Sequence, residues 1–226
     1  KRVPDYRNQG GRLVKSVVYE MRAPSEPLVR VEREIGPPKR GEALISVVGC
    51  GVCHTDLGFL FDGVPTRRPP PIVLGHEIAG VVLAVGPDVA LKPGASVVVP
   101  AVLPCGVCAL CRRGRGDVCR SQIFPGNDVD GGFATHVVVP ARGLCPVAPE
   151  GGLKGRDLAR LAVCADAVST AFAAVRKAEV ASGDFAVFVG GGGVGGFAVQ
   201  IARALGARTL VLDVVRERLD LLAAHG

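Results

Sequence analysis

The chain has 226 residues, 48% apolar and 21% charged, the composition of a globular protein with a substantial core. No run of 18 apolar residues occurs, so no membrane span is expected. A net charge of +6, no Trp, 4% aromatic residues and scattered basic positions weigh against a nucleic-acid partner and weakly favour small phosphate-bearing ones.

The segment KRVPDYRNQGGRLVKS starts basic but has no apolar stretch behind it, so it is not expected to be a secretory signal. It also lacks a starting Met, which raises the expectation of a trimmed or incomplete end. Eight cysteines without such a signal point to metal or catalysis rather than a disulfide scaffold, and to the cytoplasm.

The first 160 or so residues read as β-rich. Short apolar runs at 43–48, 78–86, 95–102 and 134–143 are separated by Gly, Pro and charged clusters, predicting a compact antiparallel or barrel-like domain. The proline run 69–71 fits only loop or extended edge. Character changes near residue 158. DLARLAVCADAVSTAFAAVRKAEV is Ala-rich and suits helix for much of its length. FAVFVG (185–190) reads as a buried parallel strand, 194–206 as a helix, TLVLD (209–213) as a second strand and 214–226 as a helix closed by a glycine. Strand, helix, strand, helix is the opening half of a doubly wound nucleotide-binding domain.

Three groups of residues carry chemistry. Cys105, Cys108, Cys111 and Cys119 fall within 15 residues, and four thiolates so spaced can close a tetrahedral zinc site, leaving no coordination position open. The lobe has few apolar residues, so a metal there replaces a missing local core. In CGVCHTDL (50–57) and GHE (75–77), a Cys and a His, each followed by an acidic residue, offer two ligands of a second zinc; an open catalytic site needs three. Cys164 and Asp166, two positions apart in LAVCADAVSTAF, are both chemically able to supply the third. Finally, Gly190, Gly192 and Gly195 mark G-x-G-x-x-G after a predicted strand and at the opening of a predicted helix, with Gly193 and Val194 between them and Asp213 ending the next strand. Such glycines admit a pyrophosphate to the helix N-terminus, and an acidic residue at position 213 favours NAD over NADP.

Together these motifs resemble the zinc-dependent medium-chain alcohol dehydrogenases. Gly75-His76-Glu77-x2-Gly80-x5-Gly86-x2-Val89 matches that family's zinc signature, with the four-cysteine lobe following. The resemblance implies an α/β plus β-rich fold: a GroES-like catalytic domain over 1–160, then an incomplete, apparently truncated Rossmann-type NAD-binding domain over 161–226. It implies Cys53 and His76 as catalytic zinc ligands, Asp56 and Glu77 as supporting carboxylates, Thr55 as the hydroxyl that begins proton removal, and His54 and Thr170 as cofactor contacts. Zinc would act as a Lewis acid toward the alcohol oxygen while hydride passes to NAD. Where some relatives have a histidine for the outer proton relay, this chain has Gly58. The family's third ligand stands four residues before a Thr and six before an aromatic. Counted from Thr170 and Phe172 that place is Asp166, and Cys164 is out of helical register.

A narrower resemblance lies in residues 50–64, 99–111 and 125–147, which look like 6-hydroxycyclohex-1-ene-1-carboxyl-CoA dehydrogenases. That implies a cyclic hydroxyacyl-CoA substrate, with Arg67 and Arg68 compatible with its phosphates. A simple secondary or cyclic alcohol is the alternative. A non-catalytic zinc-binding fragment, poorly soluble or inactive by itself, is the alternative from another class. The resemblance also implies a homo-oligomer for a full-length form.

Overall fold

The computed structural model describes residues 13–147 and 153–224. Residues 1–12 of the N-terminal segment weighed as a leader, and the helix-closing Gly226, lie outside the described residues. Tertiary contacts divide the chain after Ala165 into two compact units.

In chain order the first unit holds β1 (Val14–Met21), β2 (Val29–Ile35), β3 (Glu42–Gly51), α1 (His54–Leu60), β4 (Ile72–Val73), β5 (Glu77–Val85), β6 (Ser96–Val99), α2 (Ala109–Arg112), β7 (His136–Pro140), β8 (Cys145–Pro146) and α3 (Gly155–Arg160). Five strands form an antiparallel sheet in the order β7-β3-β5-β6-β8, and β2-β1-β4 form a second sheet. Apolar positions of the five-stranded sheet meet in one core, where Ala43, Ile45, Ile78, Val82, Val97, Val99 and Val139 are fully buried. Closing such a β-branched side chain off from water stabilises by about 2 kcal/mol.

The register of β3 against β5 positions the chemistry. Gly51 and Glu77 are Cα partners, so the segments just beyond each strand end, carrying Cys53 and His76, emerge side by side. Close strand approach demands glycine: a Cβ on Gly80 would lie 2.3 Å from the Ser46 carbonyl, and one on Gly51 would lie 1.9 Å from Glu77 Oε2. On the other face of the sheet Leu158, Ala162 and Ala165 pack with Ala79 and Val98.

The Ala-rich stretch after residue 157, which suits helix for much of its length, is helical in two pieces. α3 gives way to a 3-10 turn at Leu161–Ala165, and α4 (Ala167–Lys177) starts only after Asp166, whose φ of −137° and ψ of −72° are not helical. Periodicity alone does not show this break, because Ala-rich sequence suits either side of it.

The second unit comprises α4, β9 (Phe185–Val189), α5 (Gly193–Ala204), β10 (Arg208–Leu212) and α6 (Arg216–Ala224), with β9 and β10 parallel. Ala171 and Val175 of α4 pack with Ala198 and Ala202 of α5, with Phe188 against them. The expectation of a buried β9 is corrected here. Phe185, Val187 and Val189 are 58%, 53% and 86% exposed, because this two-stranded sheet has one covered face and its alternate residues point the other way. No single described helix is long and apolar enough to cross a membrane.

Candidate metal centres and dinucleotide loop

The four-cysteine lobe is built from tight turns. Gly106 and Gly114 have φ of +73° and +76°, conformations that glycine adopts without strain, and Cys108 caps α2 by accepting the Cys111 N–H on its Sγ. Around the ring of sulfurs, Cys105–Cys119, Cys119–Cys108, Cys108–Cys111 and Cys111–Cys105 are 3.5, 3.8, 3.5 and 3.9 Å apart. A tetrahedron with zinc–sulfur bonds of about 2.3 Å has edges of about 3.8 Å, so the donors fit zinc. Backbone N–H groups of Val107 and Cys108 pull the Cys105 thiol down to about 6, while burial pushes Cys111 up to about 12. Four sulfurs leave no coordination position open, the arrangement of a structural metal.

The second set forms around α1. Cys53 is its N-cap, in extended conformation, and the Asp56 carboxylate reaches back to accept the Cys53 N–H at 3.0 Å through Oδ2. Its other oxygen accepts the Gly75 N–H at 3.0 Å and lies 3.4 Å from His76 Nδ1. Asp56 and His76 are 2% and 1% exposed. Gly75 (φ +94°) has no room for a side chain, since a Cβ would lie 2.6 Å from the Phe133 ring. Phe124 meets the His76 ring edge-on, centroids 4.9 Å apart, and nothing in the sequence pattern pointed to it.

Asp166 directly follows Ala165, a buried residue of the first unit whose carbonyl accepts the Ala101 N–H at 3.3 Å. Its carboxylate, the Cys53 Sγ and a His76 ring nitrogen lie within 4.8 Å of one another. Cys164 is not in this group; burial and the neighbouring Glu77 raise its pKa. Thr170, one turn into α4, donates its hydroxyl to Asp166 Oδ1 at 2.6 Å. Thr55 Oγ1 lies 3.7 Å from Cys53 Sγ, His54 is exposed at the start of α1, and Glu77 is 4% exposed. Three donors of sulfur, nitrogen and oxygen type suit zinc and leave a fourth position for water or substrate.

In the second unit, Gly190 has φ +99° and Gly192 caps α5, with Gly193 as its first residue. A Cβ on Gly195 would lie 1.9 Å from the Gly190 carbonyl, so the turn can close this tightly only with glycine. Val194 is 42% exposed, which leaves the helix N-terminus reachable. Asp213 accepts the Gly191 N–H at 2.6 Å on Oδ2 and the Val215 N–H at 2.8 Å on Oδ1. Those bonds hold its carboxyl below the usual range, helped by Arg218 at 3.5 Å. Oδ1, with the Val215 N–H as its one partner named here, keeps a lone pair for a ribose hydroxyl. A cleft of about 490 Å³ in the first unit, bounded by Val18, Arg33, Arg68, Asp130 and His136, includes none of the candidate metal ligands.

Residues 39–149 match the alcohol dehydrogenase GroES-like domain. The chain is 34% identical over 213 residues to a D-arabinose 1-dehydrogenase (NADP(+)) of Saccharolobus solfataricus, covering 91% of this chain and 59% of that one. It is 35% identical over 204 residues to an alcohol dehydrogenase of Rhizobium meliloti, covering 89% and 58%. Among solved structures, the cobalt- and zinc-bound alcohol dehydrogenase of Pyrobaculum aerophilum superposes with a TM-score of 0.84 at 30% identity, over 94% of this chain and 64% of that one. Acetophenone reductase from Geotrichum candidum, in complex with NAD, superposes with a TM-score of 0.83 at 31% identity, over 100% and 63%. The chain thus spans about 59% of the length of the curated relatives it matches. Over its GroES-like region and along these relatives the chain is similar to the zinc-dependent medium-chain alcohol dehydrogenases.

Proposed function

We propose that this chain belongs to an NAD-dependent zinc dehydrogenase that oxidises a secondary alcohol to a ketone. The observation that carries the reading is that one buried carboxylate, Asp56, lies against both Cys53 and His76, to which the resemblance adds Asp166 as the third ligand. On this reading Cys53, His76 and Asp166 hold a catalytic zinc, and Cys105, Cys108, Cys111 and Cys119 hold a structural one. Bound zinc supplies Lewis acidity toward the substrate oxygen, and bound NAD accepts the hydride.

The chain's own residues do the rest. Thr55 takes the hydroxyl proton of the substrate and passes it outward; Gly58, without a side chain, leaves the outer step to water. Asp56 fixes the Cys53 and His76 segments, and Glu77 places a second buried carboxylate beside them. The α5 N-terminus at Gly190, Gly192, Gly193, Val194 and Gly195 binds the pyrophosphate, Asp213 binds the ribose hydroxyls, and His54 and Thr170 are further cofactor contacts. A GroES-like domain over 1–160 and a dinucleotide-binding region over 161–226 divide these tasks, in a cytoplasmic, oligomeric enzyme.

The narrower reading of the substrate is a cyclic hydroxyacyl-CoA such as 6-hydroxycyclohex-1-ene-1-carbonyl-CoA; its support is the sequence resemblance in three segments. NAD reduction assayed with a secondary alcohol and with its CoA thioester tests both levels. Zinc-dependent turnover of either supports the dehydrogenase, and a large thioester advantage supports the narrower reading. Turnover insensitive to chelation contradicts the catalytic zinc.

A further inference from the structure

We propose that Asp130 is a positioning residue for the His76 side of the metal centre; this rests on the zinc reading of that site. Asp130 is none of the candidate ligands or cofactor contacts named above, yet it holds the segment leading into His76. Its Oδ1 accepts the Val73 N–H at 2.9 Å and also bonds the Arg68 guanidinium, while Oδ2 accepts from Arg33 at 3.0 Å. Arg33 in turn pairs with Glu20, which is 5% exposed in β1, so the carboxylate ties the β1–β2 hairpin to the residues before His76.

The backbone after Asp130 completes the grip. Gly131 donates to the Val73 carbonyl at 2.7 Å, Phe133 to that of Leu74 at 3.0 Å and Gly132 to that of Gly75 at 2.7 Å. The Gly75 N–H goes to Asp56. From Val73 to Gly75 the chain is therefore held by two carboxylates, Asp130 three residues before His76 and Asp56 acting one residue before it. Glycines make this possible: a Cβ on Gly131 would lie 2.2 Å from the Gly75 carbonyl. Without Asp130 the Val73 N–H loses its acceptor, and Arg33 and Arg68 lose the anion between them. Loss of the acceptor of a buried N–H and of the partner of two guanidinium groups loosens the segment that aims the imidazole.

The test is zinc affinity at each site, by competition with a chromophoric chelator, together with amide hydrogen exchange over residues 73–76. For Asp130→Ala the three-donor site weakens about tenfold, the lower end of the range for groups that orient metal ligands. Exchange at Val73 speeds up, and the four-cysteine site keeps its affinity. Asp130→Asn, which preserves an acceptor for Val73, falls between. If Asp130→Ala does not fold, Arg68→Gln shows a smaller change in the same direction. Unchanged affinity with unchanged exchange overturns the proposal, and so does equal weakening at both sites, which marks a general loss of stability. A wild-type chain holding one zinc only sinks the zinc reading instead; exchange at Val73 then decides whether Asp130 holds this segment.

Discussion

Asp56 and His76 lie 3.4 Å apart, carboxylate oxygen to Nδ1, at positions 2% and 1% exposed. The same carboxylate accepts the N–H of Cys53 and that of Gly75. One buried side chain thus spans the segments that carry both proposed ligands, and on the zinc reading it orients the imidazole toward the metal. For Asp56→Ala, zinc affinity at the three-donor site falls 10–100-fold on the order of other such supporting groups. The four-cysteine site is unaffected, as metal titration followed by mass spectrometry checks.

The third ligand separates two neighbouring residues. Asp166→Ala loses one zinc per chain, and Cys164→Ser retains both, because only Asp166 shares the 4.8 Å grouping with Cys53 and His76. The reverse pattern transfers the role to Cys164.

Stability responds to pH through His136, half-buried in β7, where burial holds the imidazole pKa below its ordinary value of 6.5. As pH falls past 6.5 the unfolded chain takes up this proton before the folded one. The contribution is therefore complete above that pH and is lost as pH falls through the depressed folded value. His136→Gln removes this component, so the drop in Tm between pH 7.5 and pH 5 shrinks in the variant. An identical drop in both proteins contradicts the assignment.

On the proposed reading, cofactor choice turns on Asp213. Its negative charge, stabilised by two backbone N–H groups, repels a 2′-phosphate. Asp213→Asn narrows the preference for NAD over NADP, read as the ratio of the two dissociation constants. A wild-type chain that binds NADP as tightly as NAD contradicts this role.

What the sequence revealed depended on how local the determining physics is. The cysteine lobe is one short segment whose spacing already encodes its geometry, and the strand, glycine turn and helix around 185–206 are likewise contiguous. The juxtaposition of Cys53 with His76 depends on the Gly51–Glu77 register, a long-range pairing that no local pattern displays. The grip of residues 130–133 on 73–75, and the Phe124 ring against His76, have the same origin. The exposure of β9 escaped the apolar pattern, because FAVFV reads as buried whether or not anything covers its second face. The break at Asp166 escaped it too, since alanines accept both the 3-10 turn and the helix that follows.

On the proposed reading this fold builds two zinc sites of different kinds. Metal content of the purified chain, measured before and after brief exposure to a mild chelator, tests it most directly. Two zincs per chain are expected, of which the one at Cys53, His76 and Asp166 leaves first and the one held by four sulfurs stays. A single zinc from the outset, retained by an Asp166→Ala and His76→Ala double variant, would contradict it.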